Sequence, residues 1–312
     1  ITDSTFTGNS AGTDGGAINN IGTATITDST FTGNSAESSG GAIYNFLSTA
    51  TITDSTFTGN SASNSGGAIY NRSTANIIAN ESDTTFTGNT AGGMSNALYN
   101  RGRANLNAAD GHKIVFNDGI DGSNGTININ NTGVKMADGT TDAPTTGIVE
   151  FNNTVKNNTV NLYNGTLKLG HYEGGTINVN GAEQLVAESW GNFDSSVNFN
   201  VHGGTLSLQD GGARTTNLGN VTLENDLQLA IDADLANEQA DMITASSAIA
   251  SDTGHSIQIS DVNILSEAQK DVVSTEVADS NTKDAVTLSS NANITRADGV
   301  EKSYLLAYDK SG

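Results

Sequence analysis

The sequence predicts an all-β chain wound as a right-handed single-stranded parallel β-helix, on three observations. The stretch ITDSTFTGNSA recurs at 1–11, 26–36 and 52–62, and a degraded copy ends at Ala91. Between copies, short apolar and polar alternations are punctuated by Gly, Asn, Asp and Ser. One proline, Pro144, stands in 312 residues, against a usual share of ~5%, as suits a chain whose backbone N–H groups are nearly all needed in β-ladders.

The repeat is taken first. Phe6, Phe31, Phe57 and Phe86 are 25, 26 and 29 residues apart, and the alanine of the Gly-Gly-Ala-Ile element follows each at a fixed distance, as Ala17, Ala42, Ala68 and Ala97. The longer last interval predicts an insertion around Ala75–Glu81, in a loop. Ala24, Thr25, Ile26 and Thr27 alternate as a strand with one buried face should. Phe31 breaks that phase, so a corner belongs at Asp28-Ser29-Thr30, residue types that hydrogen-bond their own backbone in turns. Gly33-Asn34 makes a second corner.

Strands of four or five residues cannot bury an apolar face alone, but they can when stacked on identical neighbours. Stacking places like residues ~4.8 Å apart in successive coils. The expected columns are Phe6, Phe31, Phe57 and Phe86; Ile18, Ile43, Ile69 and Leu98; and Asn9, Asn34, Asn60 and Asn89. Burial energetics make the phenylalanine and isoleucine columns core. Tyr44, Tyr70 and Tyr99 form a further column, read as packing, with an exposed stacking platform as the alternative. In the glycine pairs Gly15-Gly16, Gly40-Gly41 and Gly66-Gly67, the second glycine is replaced by Asn96 in the fourth unit. Asparagine tolerates positive φ better than most residues, so that second position is expected to be left-handed.

Regular Gly-Gly-Ala-Ile and Phe-x-x-Asn coils are assigned to residues 1–110. Irregular coils follow over 111–230, with strands expected at Thr126–Asn130, Ile148–Phe151, Val160–Tyr163, Thr166–Leu169, Thr176–Asn180, Val197–Val201 and Thr205–Leu208. From 231 to 312 glycine thins out into a β-rich segment that holds either further coils or a distinct module. Its pattern admits one helix at Ser266–Glu276 beside short strands such as Ser256–Ile259.

Composition narrows the function. The net charge of −21, with 13 basic against 34 acidic residues, argues against nucleic acid as a partner, since phosphate binding needs clustered Lys and Arg. The absence of cysteine excludes a thiol nucleophile, a Cys-based zinc site and disulfides. No apolar run is long enough to cross a bilayer as a helix. Ile1 occupies the repeat position of Ile26 and Ile52, so the chain reads as a fragment beginning partway through a repeat.

Candidate chemistry is sparse, and no catalytic, cofactor-binding or metal-ligating residue is assigned. Asp3, Asp28, Asp54 and Asp83, each three residues before a phenylalanine, invite a stacked cation site. Their place beside Ser and Thr at a corner favours turn capping instead, because repulsion at ~5 Å in water is only about 1 kcal/mol per pair. The stretch from Asp118 to Gly125 looks oxygen-rich, but it lacks the bidentate glutamate of known calcium loops and reads as an exposed loop. His112, His171, His202 and His255 share no ligand spacing and read as surface residues. Glu183, Glu188, Trp190 and Asp194 are the strongest enzyme-like group, since paired carboxylates hydrolyse glycosidic bonds and an aromatic ring holds a sugar. A chain with 34 acidic residues produces such a group by chance.

Gly-Gly-Ala-Ile at 15–18, 40–43 and 66–69, paired in register with Phe-x-x-Asn at Phe6, Phe31, Phe57 and Phe86, resembles the paired signature of polymorphic outer-membrane protein repeats. The pair covers about the first 100 residues. The resemblance implies an autotransporter passenger, exported through a C-terminal outer-membrane barrel and displayed on the bacterial surface. It implies a non-enzymatic rod used in adhesion to an unidentified ligand on host cells, matrix or other bacteria. The membrane would be met only through a translocator barrel outside these residues. The rivals are a secreted polysaccharide-degrading β-helix enzyme, lyase or glycoside hydrolase, and a passive structural spacer.

Overall fold

The computed structural model describes all residues except Ala137, Ala182, Glu183, Asp252, Thr253, Ser311 and Gly312, and the backbone alone of Ala187–Trp190, Ala250 and Ser251. The described residues form strands, turns and bends, with no helix among them. The chain forms two compact units, Ile1–Leu169 and Gly170–Gly312.

The first unit is a parallel β-helix. Its first coil carries strands Thr5–Thr7, Ser10–Ala11, Ile18–Asn20 and Ala24–Thr27, and the second repeats them at Thr30–Thr32, Ser35–Ala36, Ile43–Asn45 and Thr49–Thr53. Pairing is parallel and in register: Phe6 faces Phe31, Ile18 faces Ile43, and Ala24 faces Ala50. The phenylalanine column is longer than the repeat suggests. Rings of Phe6, Phe31, Phe57, Phe86 and Phe116 stack at 4.8, 4.7, 4.7 and 4.2 Å, within 7° of parallel. Phe151 closes the column edge-on to Phe116 at 5.7 Å. Beside it runs Ile18, Ile43, Ile69, Leu98, Ile120 and Val155. From the second coil onward both columns are buried throughout.

The corners show what the local pattern hides. Asp3, Asp28 and Asp54 sit at φ of 47°, 49° and 51°, the left-handed region that Asp and Asn enter at least cost. The next residue turns inward, and the buried Ser29 and Ser55 hydroxyls donate to the carbonyls of Thr27 and Thr53 while accepting the N–H groups of Ser4 and Ser29. Within the Gly-Gly element the expectation is reversed. The first glycine is the left-handed one, with φ of 70°, 67° and 65° at Gly15, Gly40 and Gly66. Gly16, Gly41 and Gly67 are glycines for want of room: a Cβ on Gly41 would lie 2.1 Å from the Gly67 carbonyl oxygen and 2.4 Å from that of Ser61. In the fourth coil, where Asn96 holds this position, the chain folds back just before it through an antiparallel pairing of Ala91 with Met94.

The insertion also lies later than the spacing suggests. Thr74–Ala79 is an in-register strand between Thr49–Thr53 and Arg103–Ala108. The extra residues follow it, where the N–H groups of Asn80, Glu81 and Ser82 converge on the Asp54 carboxylate. Strand Lys113–Phe116 stacks next, then Ile148–Phe151. Between those two, the stretches 131–136 and 138–147 meet in an antiparallel bridge of Lys135 with Asp142, which also form an ion pair, as the two arms of a hairpin. Val134 and Ala143 of this hairpin cover Ile78, and Asn107 Nδ2 ties its base through the carbonyls of Asn131 and Pro144. Pro144 therefore sits outside the ladders.

The second unit keeps parallel pairing with changed corners. Thr176–Val179 pairs with Asn198–Val201, and that with Asn220–Leu223. Thr205–Ser207, Leu227–Asp234, Ile257–Ser266 and Val286–Arg296 stack in succession. The strands expected between 126 and 208 lie within observed strands or overlap them by all but a residue or two. No helix forms at Ser266–Glu276. Ser266 ends a strand, and tertiary partners take the polar groups that follow: the Ala268 N–H donates to Tyr304, and the Glu267 carboxylate accepts from Glu301 and Lys302. An eleven-residue helix with no packed face is marginal in water.

Two buried carboxylates organise this unit. Asp232 accepts the N–H groups of Asp210 and Gly211 and the amide of Asn263. Asp241 accepts those of Arg214 and Asp232. Burial outweighs these donors and, with Asp232 nearby, pushes Asp241 up to about 7. A folded value above the unfolded one means that the fold favours the protonated acid. Stability from this group is complete below about pH 4 and is lost as pH rises through about 7, by on the order of 4 kcal/mol. Amide hydrogen exchange at Ile231–Ala233 should therefore accelerate between pH 4.5 and 7.5 beyond the intrinsic rate. In Asp241→Asn that excess should disappear; an excess of the same size in the variant would assign it elsewhere.

Candidate binding surface

The asparagine columns of the repeat are internal from the second coil onward. Asn9, Asn34, Asn60 and Asn89 form a ladder in which each amide nitrogen donates to the next oxygen at 2.8–2.9 Å, and that oxygen also accepts the preceding backbone N–H. The ladder ends on Asp118, 6% exposed, which accepts the Gly88 N–H and both the backbone and side-chain N–H of Asn89. A carboxylate accepts without needing to donate, so it terminates a run of aligned amides. The stretch from Asp118 to Gly125 is thus neither a calcium loop nor an exposed one: Asp118 caps a core ladder, and Ile120–Gly122 is a strand. A second ladder, Asn20, Asn45, Asn71 and Asn100, runs beside the isoleucines with amide contacts of 2.8–2.9 Å. The sequence carries it openly as Ile-Asn-Asn, Ile-Tyr-Asn, Ile-Tyr-Asn and Leu-Tyr-Asn.

Between the isoleucine and asparagine columns, strand alternation turns one residue outward. That residue is Tyr44, Tyr70 and Tyr99 in the second to fourth coils, preceded by Asn19 and followed by Asp121. The tyrosines point away from the coil interior but cover one another: Tyr70 is buried, 8% exposed, and Tyr44 and Tyr99 are half-buried, so the column is packed and not an exposed platform. Their rings stack at 5.0 and 5.4 Å, with Phe46 against Tyr44 at 5.8 Å. The residue after each ladder asparagine lies alongside. Here Arg72 sits 4.6 Å over the Phe46 ring, and Arg101 donates to the Tyr70 hydroxyl, which holds its guanidinium above the usual value. Ile21 and Leu47 extend this face, 72% and 68% exposed. No Lys or Arg precedes Arg72 in the sequence, so the first basic groups of an acidic chain fall on its aromatic column.

The column ends over a cleft of about 320 Å³ lined by Met94, Ser95, Tyr99, Asp121, Asn153 and Lys156, among others. Burial first, and the Asp121 carboxylate next, raise the Tyr99 hydroxyl above its usual value. The second unit has a larger groove, about 510 Å³, walled mainly by aliphatic side chains such as Ile231, Ile259, Val262 and Leu305.

Glu183 and the side chains of Glu188 and Trp190 lie outside the described residues; Asp194 is exposed and held below the usual carboxylate range by the Ser196 N–H, as a turn cap. Each histidine faces one carboxylate: His112 and Asp83 at 3.7 Å, His171 and Glu173 at 3.3 Å, His202 and Glu224 at 3.1 Å, His255 and Asp226 at 3.7 Å. Asp54 caps the turn above it, and Asp83, past the insertion, accepts the Lys113 N–H.

Residues 3–21, 28–45 and 54–72 match the family of the Chlamydia polymorphic membrane protein repeat. The fourth coil, with Ser95 and Asn96 in place of the glycine pair, lies beyond the matched segments. No curated protein and no solved structure matches the chain significantly.

Proposed function

We propose, from the polymorphic membrane protein repeats of residues 3–72, that this chain is passenger sequence of an autotransporter, displayed on a bacterial outer surface as a non-enzymatic adhesin. The observation that carries the adhesive reading is the outward column of Tyr44, Tyr70 and Tyr99 flanked by Arg72 and Arg101. Tyrosine and arginine dominate the energetics of protein surfaces that bind, because they offer large rigid contacts at small entropic cost. The edge of the column and its arginines offer such contacts to a partner, and weak binding adds up when many copies of the chain are displayed. The acidic remainder, at net −21, keeps the stack soluble.

The test is adhesion of beads coated with the chain to epithelial cells, to matrix proteins and to bacteria. Wild-type beads are expected to exceed uncoated beads on at least one surface, and the double change Arg72→Ala, Arg101→Ala to lower that binding about tenfold, the loss of one to two kcal/mol at a contact. Binding no better than uncoated beads on all three surfaces would remove the adhesive reading.

A further inference from the structure

We infer that the cleft at the end of the tyrosine column is a saccharide site, in which one pyranose ring stacks on Tyr99. The inference deepens the adhesive reading and rests on it for its biological use, although the chemistry stands on the cleft itself.

Stacked rings cover one another. Tyr70 has Tyr44 on one side and Tyr99 on the other, so neither of its faces can take a ligand. Tyr99 differs because the next coil places Asp121 at that register. One face of Tyr99 is therefore left without a ring partner, and that ring borders the cleft. The fold-back through Met94 and Ser95 lines the cleft together with Asn153, Thr154 and Lys156, two coils on, and Asn153 Nδ2 reaches Ser95 Oγ at 3.4 Å.

The lining matches a polyol. Asp121 accepts from hydroxyls beyond the Gly122 N–H it already takes, and Ser95 and Asn153, joined to each other at 3.4 Å, can trade that long contact for a ligand hydroxyl. Tyr99, Asp121, Asn153 and Lys156 are half-buried, where hydrogen bonds strengthen as water is excluded. A hexopyranose offers an apolar C–H face to an aromatic ring and hydroxyls around its edge, and both requirements are met within one small cleft. The Asp121 carboxylate in the wall disfavours a polyanion, and the polar majority of the named lining disfavours an aliphatic side chain.

The test is saturation-transfer NMR on the full chain with the methyl glycosides of glucose, galactose, mannose, N-acetylglucosamine and glucuronic acid. At least one is expected to receive saturation concentrated on the protons of one ring face. Tyr99→Ala and Asp121→Asn should each weaken it tenfold or more. Tyr99→Phe, which keeps the ring, should stay within about threefold, and Tyr44→Ala, at the far end of the column, should leave it unchanged. No saturation of any glycoside, or saturation that survives Tyr99→Ala, overturns the proposal. Should Tyr99→Ala fail to fold, Asp121→Asn decides instead, and binding unchanged in it overturns the proposal. Bead adhesion separates the two readings. Adhesion indifferent to saturating glycoside and to Asp121→Asn sinks the saccharide site as the adhesive contact and leaves the adhesin. Glycoside binding by a chain whose beads adhere to nothing sinks the adhesin and leaves the site.

Discussion

Replacing Asn60 with leucine is expected to destabilise the first unit by about 4–6 kcal/mol, as the sum of several orphaned groups at roughly 1–3 kcal/mol each. The Asn60 oxygen accepts the Asn34 N–H at 3.0 Å and the Asn34 amide at 2.9 Å, and its own amide donates to the Phe31 carbonyl at 3.0 Å and to Asn89 at 2.9 Å. Asn34, Asn60 and Asn89 are fully buried, so no water replaces what leucine takes away. The isosteric apolar gain is small beside this, because a partly satisfied network is worse than none. Asn9→Leu is the control: it removes the same residue type from an exposed position in the first coil and should cost about 1 kcal/mol or less. Urea denaturation of the two variants measures the difference. Equal midpoint shifts would mean that the ladder adds nothing beyond local packing.

Gly41→Ala is expected to cost about 4–5 kcal/mol, at the upper end of what one methyl group does. Its Cβ would meet two backbone oxygens at 2.1 and 2.4 Å, and neither can swing aside as a side chain would. Relief requires parting the second coil from the third, which breaks the pairing of Ile43 with Ile69 and of Ser35 with Ser61. Gly33→Ala separates this cause from backbone strain. Gly33 has φ of 60° and nothing within 4 Å of a Cβ, so alanine there should cost only the left-handed penalty of about 1–2 kcal/mol. Thermal or urea midpoints of both variants test the assignment. A Gly33 variant as damaged as the Gly41 variant would show that φ, and not room, decides these positions.

Much of this was legible beforehand. A period of 25–26 residues with identical text can be satisfied only by stacking like on like, which is why the phenylalanine, isoleucine and first asparagine columns are readable from spacing alone. The same logic reached too short a distance. Phe116 and Phe151 complete the phenylalanine column, but the residues between them and the motif no longer repeat, so exact spacing gives no warning. The second asparagine ladder and the outward tyrosines were both present in Ile-Tyr-Asn, where alternation assigns tyrosine to the face opposite isoleucine.

The sequence by itself determined the class of fold, the parallel register and the members of the columns within the exact repeats, because periodicity dictates which residues become neighbours. Only the tertiary structure decided which glycine needs a left-handed backbone and which needs an empty space, since the clash at Gly41 is with carbonyls of the next coil. It also decided that the first asparagine ladder ends on Asp118, that Val134 and Ala143 cover Ile78, and that Ser266–Glu276 forms no helix. The cleft beside Tyr99 belongs to the same group. It draws on residues from Asn64 to Lys156, and contacts between coils that no longer repeat depend on where each loop folds, a quantity that no local pattern encodes.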